Sequence, residues 1–129
     1  MVQTAPMESD QLLSSFVKVL VSDAERSARF YEALGFKRVN ADPPFIQLRW
    51  ENQAEVYLVA VPPALGLQGP RGVGVLLGFR IGAVGLEEVA SRARAQGATV
   101  DGPTVQPWFT REIVISDPDG YRLNFIEPA

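Results

Sequence analysis

The sequence predicts an α+β fold of two tandem βαβββ units, and three observations carry that expectation. Gly35 and Gly97 each close a helical stretch and lie 62 residues apart, and this offset lays Phe16 on Gly78, Val17 on Phe79, Val19 on Ile81 and Val21 on Ala83. Val17, Val19 and Val21 alternate with Phe16, Lys18 and Leu20, the period of a strand with one face against a helix. Finally, residues 51–62 can be laid on residues 117–128 at an offset of 66, each copy reading as a turn and then a strand that ends before proline.

Taken in order, residues 1–13, polar and acidic from Met1 to Asp10, are read as an N-terminal segment free to be disordered, ahead of a first unit over 14–62. Its first strand runs from Phe16 toward Asp23, and Ser22 or Asp23 is placed to cap the helix that follows by accepting from its free N–H groups. In that helix Ala24, Ala28, Tyr31 and Leu34 recur at helical spacing while Glu25, Arg26, Arg29 and Glu32 face water, and Gly35 supplies the backbone conformation at the stop. A strand is expected at Phe45–Trp50. Residues 63–72, rich in proline and glycine, form a linker. The second unit, 73–129, repeats the plan, with a helix from Leu86 to Ala95 that turns Leu86, Val89, Ala90 and Ala93 inward. A strand at Arg111–Ser116 and a turn at Asp117-Pro118-Asp119-Gly120 follow, proline presetting φ and glycine accepting a positive one.

Composition narrows the function. A chain of 129 residues, 47% of them hydrophobic, has enough apolar surface for one domain or two intimate halves. The formal charge of −3 and the lack of any Lys/Arg run argue against a nucleic-acid partner. No apolar run is long enough to cross a bilayer, so no membrane partner is expected and the protein is read as cytoplasmic. The chain contains neither histidine nor cysteine, which removes disulfides, thiolate zinc sites and the usual activating bases for a serine nucleophile. No carboxylate pair at a useful spacing is visible for acid–base work.

Two βαβββ units, with Val21-Ser22-Asp23, Ser27, Phe30-Tyr31-Glu32, Leu34-Gly35-Phe36, Gln96-Gly97, Pro107-Trp108 and Asp117-Pro118-Asp119-Gly120-Tyr121-Arg122-Leu123 in that order, resemble the glyoxalase/bleomycin-resistance/extradiol-dioxygenase superfamily, also called the vicinal oxygen chelate fold. The likeness spans Ser15 to Glu127. It implies that the units form an incomplete β-barrel around a cavity with the helices outside, often completed by a second subunit, so a homodimer is expected. Catalytic members hold a divalent cation through one side chain from the first and one from the last strand of each unit. Carried over by the alignments above, those positions are Phe16, Leu58, Gly78 and Asn124, of which only Asn124 offers a donor. A divalent cation needs several converging strong ligands, so no metal and no other cofactor is expected. Glu55, Glu112 and Glu127 are read as facing outward.

Counting by twos from the four positions brings Lys18 and Leu20, Val56 and Ala60, Arg80, Arg122 and Ile126 into the lining. The ligand-binding candidates are Phe16, Lys18, Trp50, Leu58, Arg80, Trp108, Phe109, Arg111, Arg122 and Asn124. Each has a plain alternative: the cations solvate at a rim, and the tryptophans pack in a core or dimer interface. The reading is a bleomycin-resistance-like protein that binds a small organic molecule, with a lean toward anionic ligands. The alternative is a glyoxalase-like lyase, isomerase or dioxygenase with a displaced metal site.

Overall fold

The computed structural model describes residues 13–51, 53–62, 64, 69 and 71–129. The N-terminal segment, apart from Leu13, and much of the linker lie outside the described residues. The elements run β1 Val17–Val21, α1 Ala24–Leu34, β2 Lys37–Asp42, β3 Phe45–Trp50, β4 Ala54–Ala60, β5 Leu77–Arg80, α2 Leu86–Ala95, β6 Val100–Val105, β7 Thr110–Ser116 and β8 Arg122–Pro128. They form two four-stranded sheets, β1-β4-β3-β2 and β5-β8-β7-β6, not closed into a barrel. In each, the first strand pairs in parallel with the last, and the others pair antiparallel. This is the α+β plan of two βαβββ units that the repeat predicts.

Helix α1 begins where Asp23 accepts from the Arg26 N–H at 3.0 Å, so the capping device read from the sequence is present. It ends at Gly35, whose φ of +138° is open to glycine and whose N–H returns to the carbonyls of Tyr31 and Glu32. A Cβ there would lie 2.7 Å from Trp50 Cη2 and 3.1 Å from Arg92 Nη1. Backbone strain and overpacking together should make Gly35→Ala cost about 2 kcal/mol, readable as a fall in the urea midpoint. An unchanged midpoint would show that the loop relaxes freely.

Helix α2 starts at Gly85, which has no side chain to cap it. Glu127 of β8 takes that role, accepting from the Leu86 N–H at 3.0 Å.

Each sheet has one face under its helix. Val19, Val21, Ile46, Leu48, Val56 and Leu58 are buried beneath α1, and Phe79, Ile113, Ile115, Leu123 and Phe125 beneath α2. These faces share one core at the seam between units, where Phe36 meets Phe79 edge-on at 5.6 Å and Phe79 stacks on Phe125 at 5.2 Å. Polar contacts tie the same seam. Asp119 accepts from the hydroxyls of Ser22 at 2.8 Å and Ser27 at 3.3 Å, and Asp117 from the hydroxyl of Tyr31 at 2.7 Å. Arg92 of α2 donates to the Leu34 carbonyl at the end of α1. The Asp117–Gly120 turn, expected simply to reverse the chain, is also a clasp on the other unit's helix.

Candidate functional site

The faces opposite the helices are open. On the first sheet this face follows from register: Lys18 pairs with Tyr57, Gln47 with Tyr57, Arg49 with Glu55 and Phe45 with Val59. Phe16 stacks on Tyr57 with ring centres 4.5 Å apart, and Phe45 meets Tyr57 edge-on at 5.3 Å. The result is a wall of three rings in which Phe16 is still 53% exposed. Glu55 sits at its edge, held by Arg49 at 2.7 Å and by Gln47 at 3.1 Å. The hydrogen bond from Arg49 holds the Glu55 carboxyl below the usual carboxylate range.

On the second sheet, Gly78 pairs with Asn124, Arg80 with Ile126, Val114 with Asn124 and Glu112 with Ile126. Asn124 is buried and donates to the Ile113 carbonyl at 3.1 Å and to Glu112 at 3.3 Å. Glu112 also accepts from the Thr110 hydroxyl at 2.6 Å and from the Trp108 indole at 3.1 Å. These donors, Thr110 foremost, lower its pKa. Where the first sheet meets the second, a hollow of about 240 Å³ is lined by Phe16, Val17, Gln53, Glu55, Gly78 and Arg80 among others. Nothing lies within 4 Å of where a Gly78 Cβ would stand.

The sequence-derived candidates fall into groups. Phe16 and Lys18 lie on the first open face, and Arg80, Arg122 and Asn124 on the second, with Trp108 leaning over Glu112. Phe16 and Arg80 meet in the hollow. Phe109 is 80% exposed at the tip of the β6–β7 turn. Three candidates lie under the helices instead. Leu58 is fully buried there, and Trp50 packs in the seam against Phe36 at 5.2 Å. Arg111 is spent on ion pairs with Glu87 and Glu127, both at 2.8 Å.

Leu58 and Val56 miss the open face because the alignment of the last strands slips. Lys18 and Arg80 are equivalent at the offset of 62, and they pair with Tyr57 and Ile126. The true offset of β4 on β8 is therefore 69 rather than 66, and an odd slip exchanges the faces of a strand. Glu55, not Leu58, matches Asn124. Glu55 and Glu112 face the open side, contrary to the outward reading, whereas Glu127 does turn to the helix side. Tyr57, Phe45, Gln47 and Arg49 were not among the candidates. The alternation of β3 and β4, taken from the first strand rather than from the proline, is the signal that finds them.

A family model described as Glyoxalase/Bleomycin resistance protein/Dioxygenase superfamily matches residues 13–125. The chain belongs to this superfamily. No curated protein sequence matches it. Among solved structures, a bleomycin-binding protein complexed with bleomycin is 21% identical with a TM-score of 0.71, over 92% of this chain and 100% of that one. TnmS3, an antibiotic-binding protein from Streptomyces sp. CB03234, is 27% identical with a TM-score of 0.68, over 92% and 99%. An oxidase, ChaP-H2, is 19% identical with a TM-score of 0.68, over 92% and 95%. Binders and an oxidase thus share the superfamily's fold, and the fold does not choose between them.

In the true register the superfamily's cation positions fall on Phe16, Glu55, Gly78 and Asn124. One carboxylate already held by Arg49 and one carboxamide already donating are not a cation's donor set. Among the described residues, no group of three or more His, Cys, Asp or Glu side chains converges to hold a metal ion. The residues present do not fit the superfamily's metal. No helix among the described residues is long and apolar enough to cross a membrane.

Proposed function

We propose that this chain binds a small organic molecule on its open sheet faces, around the hollow between Phe16 and Gly78, without a resident metal and without altering the ligand. The observation that carries this reading is the ring wall of Phe16, Tyr57 and Phe45 beside a hollow whose second side is bare backbone at Gly78. Concave, largely apolar surfaces with a few fixed polar groups are what small-molecule sites require. A homodimer belongs to the proposal. Val73, Val75, Leu76, Trp108 and Phe109 are each at least 48% exposed, and apolar groups of this size favour cover by a second copy.

Gly78→Leu tests the location. The new side chain meets open space in the fold and fills the hollow, so the unfolding free energy should move by less than about 0.5 kcal/mol. In thermal-shift screening of aromatic, carboxylate and antibiotic libraries, a ligand at 100 times its Kd should stabilise the wild type by about 2.7 kcal/mol. Gly78→Leu should lose that shift, and chelator should leave the wild-type shift intact. A ligand that binds Gly78→Leu as well as the wild type would place the site elsewhere. Light scattering on gel-filtered protein should give twice the chain mass.

The enzyme alternative draws on Glu55, Glu112 and Asn124 as a displaced metal site. One observation favours it: both carboxylates stand on the open faces rather than outside them. Metal analysis of protein purified without chelator decides, because a stoichiometric transition ion whose removal abolishes turnover would replace the binding account.

A further inference from the structure

We infer that the ligand is a planar aromatic anion, its ring system laid against Phe16, Tyr57 and Phe45 and its negative group set between Lys18 and Arg80. The inference rests on the proposed site and adds the ligand's chemistry to it. Phe16 and Tyr57 are stacked at 14° between their planes and Phe45 stands edge-on to Tyr57, so the wall offers one face and its edges to a further ring. Aromatic pairs gain beyond their buried area only in such offset or edge-on geometries. A flat π-system satisfies them better than a branched aliphatic body does.

The chain as a whole is acidic, at −3, yet the cations flanking the wall are uncompensated. Lys18 is exposed on β1, one strand over from Tyr57, and Arg80 is exposed and lines the hollow with Phe16. Neither makes an ion pair among the described residues, whereas Arg26, Arg29, Arg38, Arg49, Arg92 and Arg111 all do.

Two acids on the same faces are already engaged. Glu55 is neutralised by Arg49, and Glu112 is saturated by Thr110, Trp108 and Asn124. Asp42 stands opposite Phe45 at the outer end of the wall, on β2 and three strands from Lys18, and Asp101 lies on the outer strand β6 of the other sheet. A carboxylate or sulfonate therefore finds two free donors of opposite sign beside the rings, and charge-assisted hydrogen bonds are the strong ones. A cationic aromatic would meet like charge there.

The test compares four probes by calorimetric titration: anthracene-2-sulfonate, 2-(hydroxymethyl)anthracene, (anthracen-2-ylmethyl)trimethylammonium and cyclohexanesulfonate. The sulfonated anthracene should bind at least about tenfold more tightly than the other three. Lys18→Gln/Arg80→Gln, at two exposed positions, should bring the sulfonate to the affinity of the neutral alcohol while leaving the alcohol's own affinity unchanged. Tyr57→Ala should weaken both by about tenfold, with its circular dichroism checked against wild type. Tighter binding of the cationic or the saturated probe at a site that Gly78→Leu blocks would overturn the inference and leave the proposed site standing. Failure of every probe to bind at that site would overturn the inference, and only failure of the library screen as well would overturn the proposed site.

Discussion

Asp117→Ala is expected to lower the unfolding free energy by about 4 kcal/mol, more than a surface carboxylate has any business contributing. The side chain is 5% exposed and accepts three hydrogen bonds, from the Tyr31 hydroxyl at 2.7 Å and from the backbone N–H groups of Asp119 at 2.9 Å and Tyr121 at 2.8 Å. Truncation leaves the Tyr31 hydroxyl, itself fully buried, without an acceptor, and frees the turn that carries Asp119 onto Ser22 and Ser27. Tyr31→Phe removes one bond only and should cost about 2 kcal/mol. Chemical denaturation of the three proteins checks the order. Equal losses in both variants would mean that the turn holds its shape without the carboxylate.

The same residue gives a pH signature. Burial, partly opposed by the Tyr31 hydrogen bond, raises the Asp117 pKa above its ordinary value of 3.8. The folded state then holds this proton more tightly than the unfolded one. The group's contribution is fully present below the ordinary value and is lost as pH rises through the raised, folded value. Subtracting the stability of Asp117→Asn from that of wild type isolates it, and the difference should fall as pH rises above about 4. A difference that rises with pH would falsify the assignment.

Local signals made much of this fold legible. The 62-residue repeat, the glycine stops at Gly35 and Gly97 and the Asp-Pro-Asp-Gly turn are written within a few residues of where they act, and each folds as read. What failed was a register. Pro62 stands five residues after Tyr57, whereas Pro128 stands two after its counterpart Ile126. An alignment anchored on the terminal prolines therefore slips by three, and its odd slip moved Leu58 onto the open face and Glu55 off it. Counting from the parallel partner strand would have avoided the error, because β1 and β5 carry the repeat without a gap.

Contacts across the seam were hidden for another reason. Ser22 and Asp119 stand 97 residues apart, and neither residue type announces the other. Glu127 looked like a surface acid because its partners, the start of α2 and Arg111, come from separate elements. Trp50 is the clearest case, since its neighbours Phe36 and Phe125 come from both units. A lone tryptophan at a strand end reads equally well as a ligand stacker, and only the packing of one unit on the other decides.

That packing leads to the second large effect. Phe125→Ala should cost about 4 kcal/mol, in the range for emptying an aromatic site in a close-packed core. Phe125 is fully buried, stacks on Phe79 at 5.2 Å and lies 6.3 Å from Trp50, so it joins the two units rather than filling one of them. Ile113 is also fully buried, but it pairs with Phe125 within the second sheet. Ile113→Val should cost only about 1 kcal/mol, by loss of one methylene. The contrast separates two pictures of the chain. If the units fold as one cooperative body, Phe125→Ala in a Trp108→Phe background shifts a single transition seen equally by Trp50 fluorescence and by circular dichroism. If the seam is a weak contact between independent halves, the two probes part company in this variant, and Trp50 reports its loss of packing before the sheets melt.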